Sequence, residues 1–104
     1  MRWYPNVRFD ILNRRYFGGR LPKYQVRFVT LPKAWGRVWH LKQLIELSDD
    51  FKGKWSQVGT MTLLHEMAHI EDRLNRVSGS GKHARRFDRI MKRLAAAGAF
   101  NGLW

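Results

Sequence analysis

Three of the four histidines in this 104-residue chain fall between Leu63 and His83, in the stretch LLHEMAHIEDRLNRVSGSGKH. His65 and His69 stand four residues apart, with Glu66 between them. Side chains at i and i+4 of a helix lie one above the other, so both imidazoles can reach a single zinc ion. Glu66 lies one residue further round the helix, too far to ligate comfortably and well placed to take a proton from a metal-bound water. This is the physical content of the His-Glu-x-x-His pattern of zinc hydrolases. The competing account is a helix that carries two ordinary, partly exposed histidines.

A catalytic zinc takes three protein ligands and keeps one position for water. The longer metalloprotease pattern would place Gly at Asp72 and His at Asn75, and neither fits. A downstream glutamate is excluded because none follows Glu71. His83, His40, Asp72 and Asp88 are left. Asp72 shares the helix of His65, and one straight helix rarely supplies three ligands. His83 is the better candidate: it starts a new helix after a Gly/Ser loop that lets the chain turn back. Its competing role is that of a helix-start histidine packed on Phe87. For His40, at the end of a strand, an ordinary structural role is expected.

The elements that must hold these residues can be read from periodicity. Pro5 and the spacing of Phe9, Leu12 and Tyr16 predict a first helix, stopped at Gly18-Gly19. Tyr24, Val26 and Phe28 alternate as in a half-buried strand. AWGRVWH and LIELS predict two more strands, joined by a turn near His40–Gln43, and DDFKGKW predicts a loop. A long helix is expected from about Ser56 to Asn75. Its buried stripe would be Leu63, Met67, Ile70 and Leu74, with His65 and His69 on the other side beside Val58, Met61 and Thr62. A last helix from about Lys82 to Ala97 would turn His83, Phe87, Ile90 or Met91, and Leu94 inward. Arg85, Arg86, Arg89, Lys92 and Arg93 would face outward. Trp3, Trp35, Trp39 and Trp55 are expected in the core. The whole, residues 1–104, is expected to be one α+β domain: helix, three-stranded sheet, active-site helix, and a C-terminal helix bringing the third ligand.

Composition narrows the class. There is no cysteine, which excludes disulfides, cysteine-rich zinc modules and a thiol nucleophile. No apolar run approaches the roughly 20 residues of a membrane span, and no secretory signal is evident. A monomeric, intracellular protein is expected, in cytoplasm, nucleoid or nucleus, with no membrane partner. Twenty basic residues stand against eight acidic ones, for a net charge of +12. The excess flanks the histidine segment: residues 1–42 carry +9, residues 43–81 carry −2 and residues 82–104 carry +5. A polyanionic partner follows, nucleic acid before membrane. Its contacts would be the five cations of the last helix together with Arg14 and Arg15. Arg2, Arg8 and Arg20 lie beside Trp3 and Tyr4 in the same basic third of the chain. Exposed aromatics can stack on unpaired bases.

LLHEMAH, followed at this distance by KHARRF, resembles the zinc core of the SprT-like metallopeptidases, the family of the DNA–protein-crosslink protease Spartan. ILNRRYFGGRLPKYQVRF is similar to that family's first helix, Phe-Gly-Gly turn and Leu-Pro approach to the first strand. AWGRVW and IELS stand where the family has a Gly-containing strand and an Ile-x-Leu-Ser strand. The likeness spans most of residues 9–94. Ala84 departs from the glycine that often follows the third histidine, and the accessory zinc ribbon and tail motifs of larger relatives are not expected here. The resemblance implies a small zincin-like fold and one Zn²⁺ per chain on His65, His69 and His83, with Glu66 as general base. It also implies a protein substrate associated with or crosslinked to DNA, cut in unfolded or accessible segments with little sequence preference, with single-stranded DNA as the favoured nucleic acid. The alternative from another class is a nucleic-acid-binding module with a structural zinc and no peptidase activity. A metal-free basic scaffold is a third reading.

Overall fold

A computed structural model describes residues 4–51, 57–75 and 83–101, and of His83 and Ala84 it describes the backbone alone. Trp3, Arg2 and Trp55 lie outside the described residues. Pro5 supplies a pre-set φ at the first position of α1 (Pro5–Tyr16), which buries Phe9 and Leu12. The helix stops where Gly18 and Gly19 take positive φ angles of 62° and 70°. Asn13, also buried, holds the returning chain: its side chain donates to the Leu21 carbonyl at 3.0 Å and accepts from the Leu21 amide at 3.2 Å.

Three strands follow, β1 (Gln25–Val29), β2 (Gly36–Trp39) and β3 (Leu44–Ser48), in the spatial order β1-β3-β2. β3 runs parallel to β1 and antiparallel to β2. A four-residue turn closes the β2–β3 hairpin, with Gln43 at φ 49° and its amide bonded to the His40 carbonyl. Val26, Ile45 and Val38 lie opposite one another in register, and Ile45 and Val26 are fully buried against the helices. On the other face Arg27, Glu46 and Arg37 form a row across the three strands. The buried Glu46 carboxylate accepts from the Trp39 indole at 2.6 Å, Arg37 Nε at 2.6 Å and Arg27 Nη2 at 3.4 Å. The indole bond, with the two guanidinium groups, holds its carboxyl below the usual range against the opposing effect of burial.

A 3₁₀ turn at Asp49–Phe51 replaces the start of the expected loop. The long helix α2 (Gln57–Leu74) packs on β2 and β3, and the last helix α3 (His83–Ala96) packs on α2. Leu63, Met67 and Ile70 form the buried stripe of α2 as expected. Leu74 does not: at the last residue of the helix it is 53% exposed. Phe9, Leu47, Leu63, Met67, Ile90 and Leu94 are all members of one core cluster. Two tryptophans expected inside are outside. Trp35 is 64% exposed, and Trp39, held over the sheet by its bond to Glu46, is 41% exposed. Among the described residues no helix is long and apolar enough to cross a membrane.

Candidate metal centre and its cleft

α2 turns its apolar stripe to the core, and the positions half a turn away carry His65 and His69. Their Nε2 atoms are 3.1 Å apart, with the rings edge to face. Two nitrogens on one tetrahedral zinc, each roughly 2.05 Å from it, stand about 3.3 Å apart. The pair therefore fits a shared divalent cation. Phe87 of α3 fixes both rings from behind, stacked on His69 at 4.2 Å and edge-on to His65 at 5.0 Å. Partial burial pushes the His65 imidazole down, which favours the neutral form that ligates.

Glu66 is 6% exposed, and burial raises its carboxyl to about 7. A carboxyl so placed can hold or release a proton near neutrality. Glu66 and His65 line the same cleft, of about 590 Å³, which is completed by Trp35, Gly36, Val58, Met61 and Thr62. Val58, Met61 and His65 follow helical spacing, so their common side was legible in the sequence. That Trp35 would join them from the start of β2 was not.

Among the described residues β2 is an edge strand, and its phase decides what it offers the cleft. The Ser48 amide donates to the Trp35 carbonyl at 2.8 Å. In an antiparallel ladder such pairs recur at every second residue. The Arg37 and Trp39 backbones thus pair with β3, while the N–H and C=O groups of Gly36 and Val38 point off the sheet. At the other edge Asn6 occupies the equivalent groups of Val26, accepting from its amide at 2.8 Å and donating to its carbonyl at 3.0 Å.

The remaining candidates separate. α3 opens at His83, one helical turn before Phe87, and the His83 side chain lies outside the described residues. Among the described residues no three potential ligands gather at one point. Asp72 is 1% exposed and accepts from Arg86 Nε at 3.0 Å, and Asp88 pairs with Lys92. His40 Nδ1 is 3.3 Å from the Tyr24 hydroxyl, and neither residue lines the cleft.

The basic face of α3 needs correction. Arg86 and Arg93, expected to point outward, reach α2 instead. Arg93 holds both oxygens of the buried Glu71 at 2.6 and 2.9 Å, and Arg20 adds a contact at 3.2 Å. Arg86 is three and four residues from Arg89 and Ile90, so it shares the face of the buried Ile90. The adjacent acids Glu71 and Asp72 were the signal that this face needed cations. Arg85, Arg89 and Lys92 remain outward, and Arg14 and Arg15 are exposed in the last turn of α1.

With helix, facing imidazoles and flanking carboxyl in place, comparison with known proteins decides the family. The family model of SprT-like proteins matches residues 6–102. The chain belongs to the SprT-like family. That family is associated with zinc metallopeptidase-like proteins. The three helices and three-stranded sheet are compatible with this SprT-like membership. Among curated proteins and solved structures, none matches the chain.

Proposed function

We propose that this SprT-like chain is a zinc-dependent endopeptidase for DNA-associated proteins, DNA-crosslinked ones included. His65, His69 and His83 would hold the one metal ion, and Glu66 is the general base. The observation that carries this reading is the facing pair of imidazole nitrogens beside a buried carboxyl on the wall of an open cleft. Bound there, zinc would supply Lewis acidity, polarising the scissile carbonyl and acidifying water to a pKa of about 7.

Glu66 takes the proton of the attacking water on its carboxylate and returns it to the leaving nitrogen as the C–N bond breaks. The Gly36 and Val38 backbones give an extended substrate a strand to pair with. Asn6 closes the opposite edge of the sheet, which favours β2 as the docking strand. Phe87 keeps the imidazoles from rotating away from each other.

Nucleic acid enters through the net charge of +12 and through family likeness. Arg14, Arg15, Arg85, Arg89 and Lys92 are the exposed cations we assign to phosphates; Arg86 and Arg93 are withdrawn from that set.

The test is cleavage of a DNA-binding protein by the zinc-loaded chain, with and without single-stranded DNA, against Glu66→Gln. Glu66→Gln should retain zinc and lose activity by roughly 10²–10⁴-fold, the usual worth of a positioned base. A folded, zinc-containing protein that binds DNA and yields no fragments would instead establish the binding module.

A further inference from the structure

Beyond His65 and Glu66 the cleft is apolar, formed by Trp35, Val58, Met61 and Thr62. Trp35 is 64% exposed and Val58 37% exposed, although the chain buries many apolar residues elsewhere. Thr62 contributes carbon here: its hydroxyl donates to the Val58 carbonyl at 2.7 Å, and its Cγ2 faces Gly36. His65 and Glu66 are the two ionisable groups among the described residues that line the space. An exposed apolar concavity beside reactive groups marks a binding site, and its volume of about 590 Å³ lies within the roughly 300–1,000 Å³ typical of ligand pockets.

We propose that this wall is a specificity subsite for one large apolar side chain (Leu, Met or Phe) on the residue flanking the scissile bond. The proposal rests on the peptidase reading and adds to it a substrate class. Successive side chains of an extended chain point to opposite sides. A peptide paired with Gly36 and Val38 would send alternate residues toward α2. The one beside the scissile bond then meets Trp35 and Val58, because these share the cleft with Glu66. Large apolar residues are buried in folded proteins and displayed by unfolded ones. The subsite thereby selects unfolded or locally opened segments, and the preference falls on residue type rather than on a longer motif.

The experiment uses a set of peptides identical except at the residues around one bond, where Leu, Phe, Met, Ala, Asp or Lys is placed. The full zinc-loaded chain cleaves them, and fragment masses locate the cut. In parallel, Glu66→Gln is titrated with the fluorescently labelled peptides to measure binding without turnover. Burial of one such side chain supports a preference of about 10- to 100-fold in kcat/KM over Ala or Asp. Leu, Met or Phe should occupy the same side of the cut throughout. Trp35→Ala and Val58→Asp, both at exposed positions, should compress that ratio toward one, mainly through KM.

Efficient cleavage without a preference at either flanking position overturns the subsite and leaves the peptidase standing. Absent cleavage, with apolar-selective binding by Glu66→Gln that Trp35→Ala weakens, sinks the peptidase and with it a subsite beside a scissile bond, leaving the wall as a binding site for apolar side chains. Neither cleavage nor selective binding removes both.

Discussion

A missing side chain sets the distance between β2 and α2. A Cβ on Gly36 would stand 2.7 Å from Thr62 Cγ2 and 3.2 Å from Leu47 Cδ2. Leu47 is fully buried, and Thr62 is held by its bond to Val58, so neither can turn aside cheaply. Gly36→Ala should therefore cost about 1–3 kcal/mol, as overpacking does. With Glu66 as the proposed general base, it should also lower kcat/KM, because Thr62 lies one turn before Glu66, and a displacement near 1 Å at a reacting group can cost roughly 10²-fold. Urea unfolding and peptide kinetics read the two effects. Thr62→Ser in the Gly36→Ala background removes the clashing methyl and should recover most of the stability. A double variant as unstable as Gly36→Ala alone would place the constraint elsewhere. At this scale the sequence was most legible where chemistry dictates spacing. His65 and His69, one helical turn apart, face each other as their spacing predicts, with Glu66 buried beside them. Trp35 and Trp39 misled because hydrophobicity predicts burial on average, while the exposure of Trp35 at the cleft and of Trp39 over the outer face of the sheet is set by the fold.

The helices and strands followed from their periods, and their ends agree with the sequence expectation to within about two residues, the margin at which helix ends are defined. Sheet order did not follow. β3 inserts between β1 and β2, an arrangement decided by tertiary packing that alternation within a strand does not encode. The face of α3 was misjudged for a related reason. A charged side chain was expected in solvent, yet Arg86 and Arg93 sit in register with Ile90 and Leu94 and meet acids that α2 presents. Arg93 also donates to the Tyr16 carbonyl at 3.3 Å, so it joins the end of α1 to α2 and α3. These pairs position α3, and with it Phe87 and the start of the helix at His83. Arg86→Met removes a charged partner of the buried Asp72 and should cost up to about 3–5 kcal/mol. Arg86→Met with Asp72→Leu replaces both partners by apolar groups and should recover most of that loss. A double-mutant cycle by urea unfolding checks this. Additive effects would mean that the pair does not couple the helices.

Over the whole molecule, internal pairing changes what the net charge means. Arg20, Arg27, Arg37, Arg86 and Arg93 serve buried carboxylates, and Lys23 and Lys92 pair with Asp10 and Asp88. The bulk charge was fully legible in the sequence, whereas its division between structural and solvent-facing cations required the fold. The proposed affinity for nucleic acid should therefore respond to Arg85 and Arg89 on the outside of α3, while substitutions at Arg86 and Arg93 register first as lost stability. Each phosphate contact removed lowers the slope of log affinity against log salt by about 0.7 on a single strand. The Arg85→Ala/Arg89→Ala variant should thus unfold at the same urea concentration as the parent, bind single-stranded DNA more weakly, and show a slope about 1.4 smaller in magnitude. Fluorescence anisotropy across a salt series measures it. An unchanged slope would move the phosphate contacts off α3, leaving Arg14 and Arg15 at the end of α1 to carry them. A slope that falls in Arg93→Met without loss of stability would mean that its pairing with Glu71 yields to the nucleic acid.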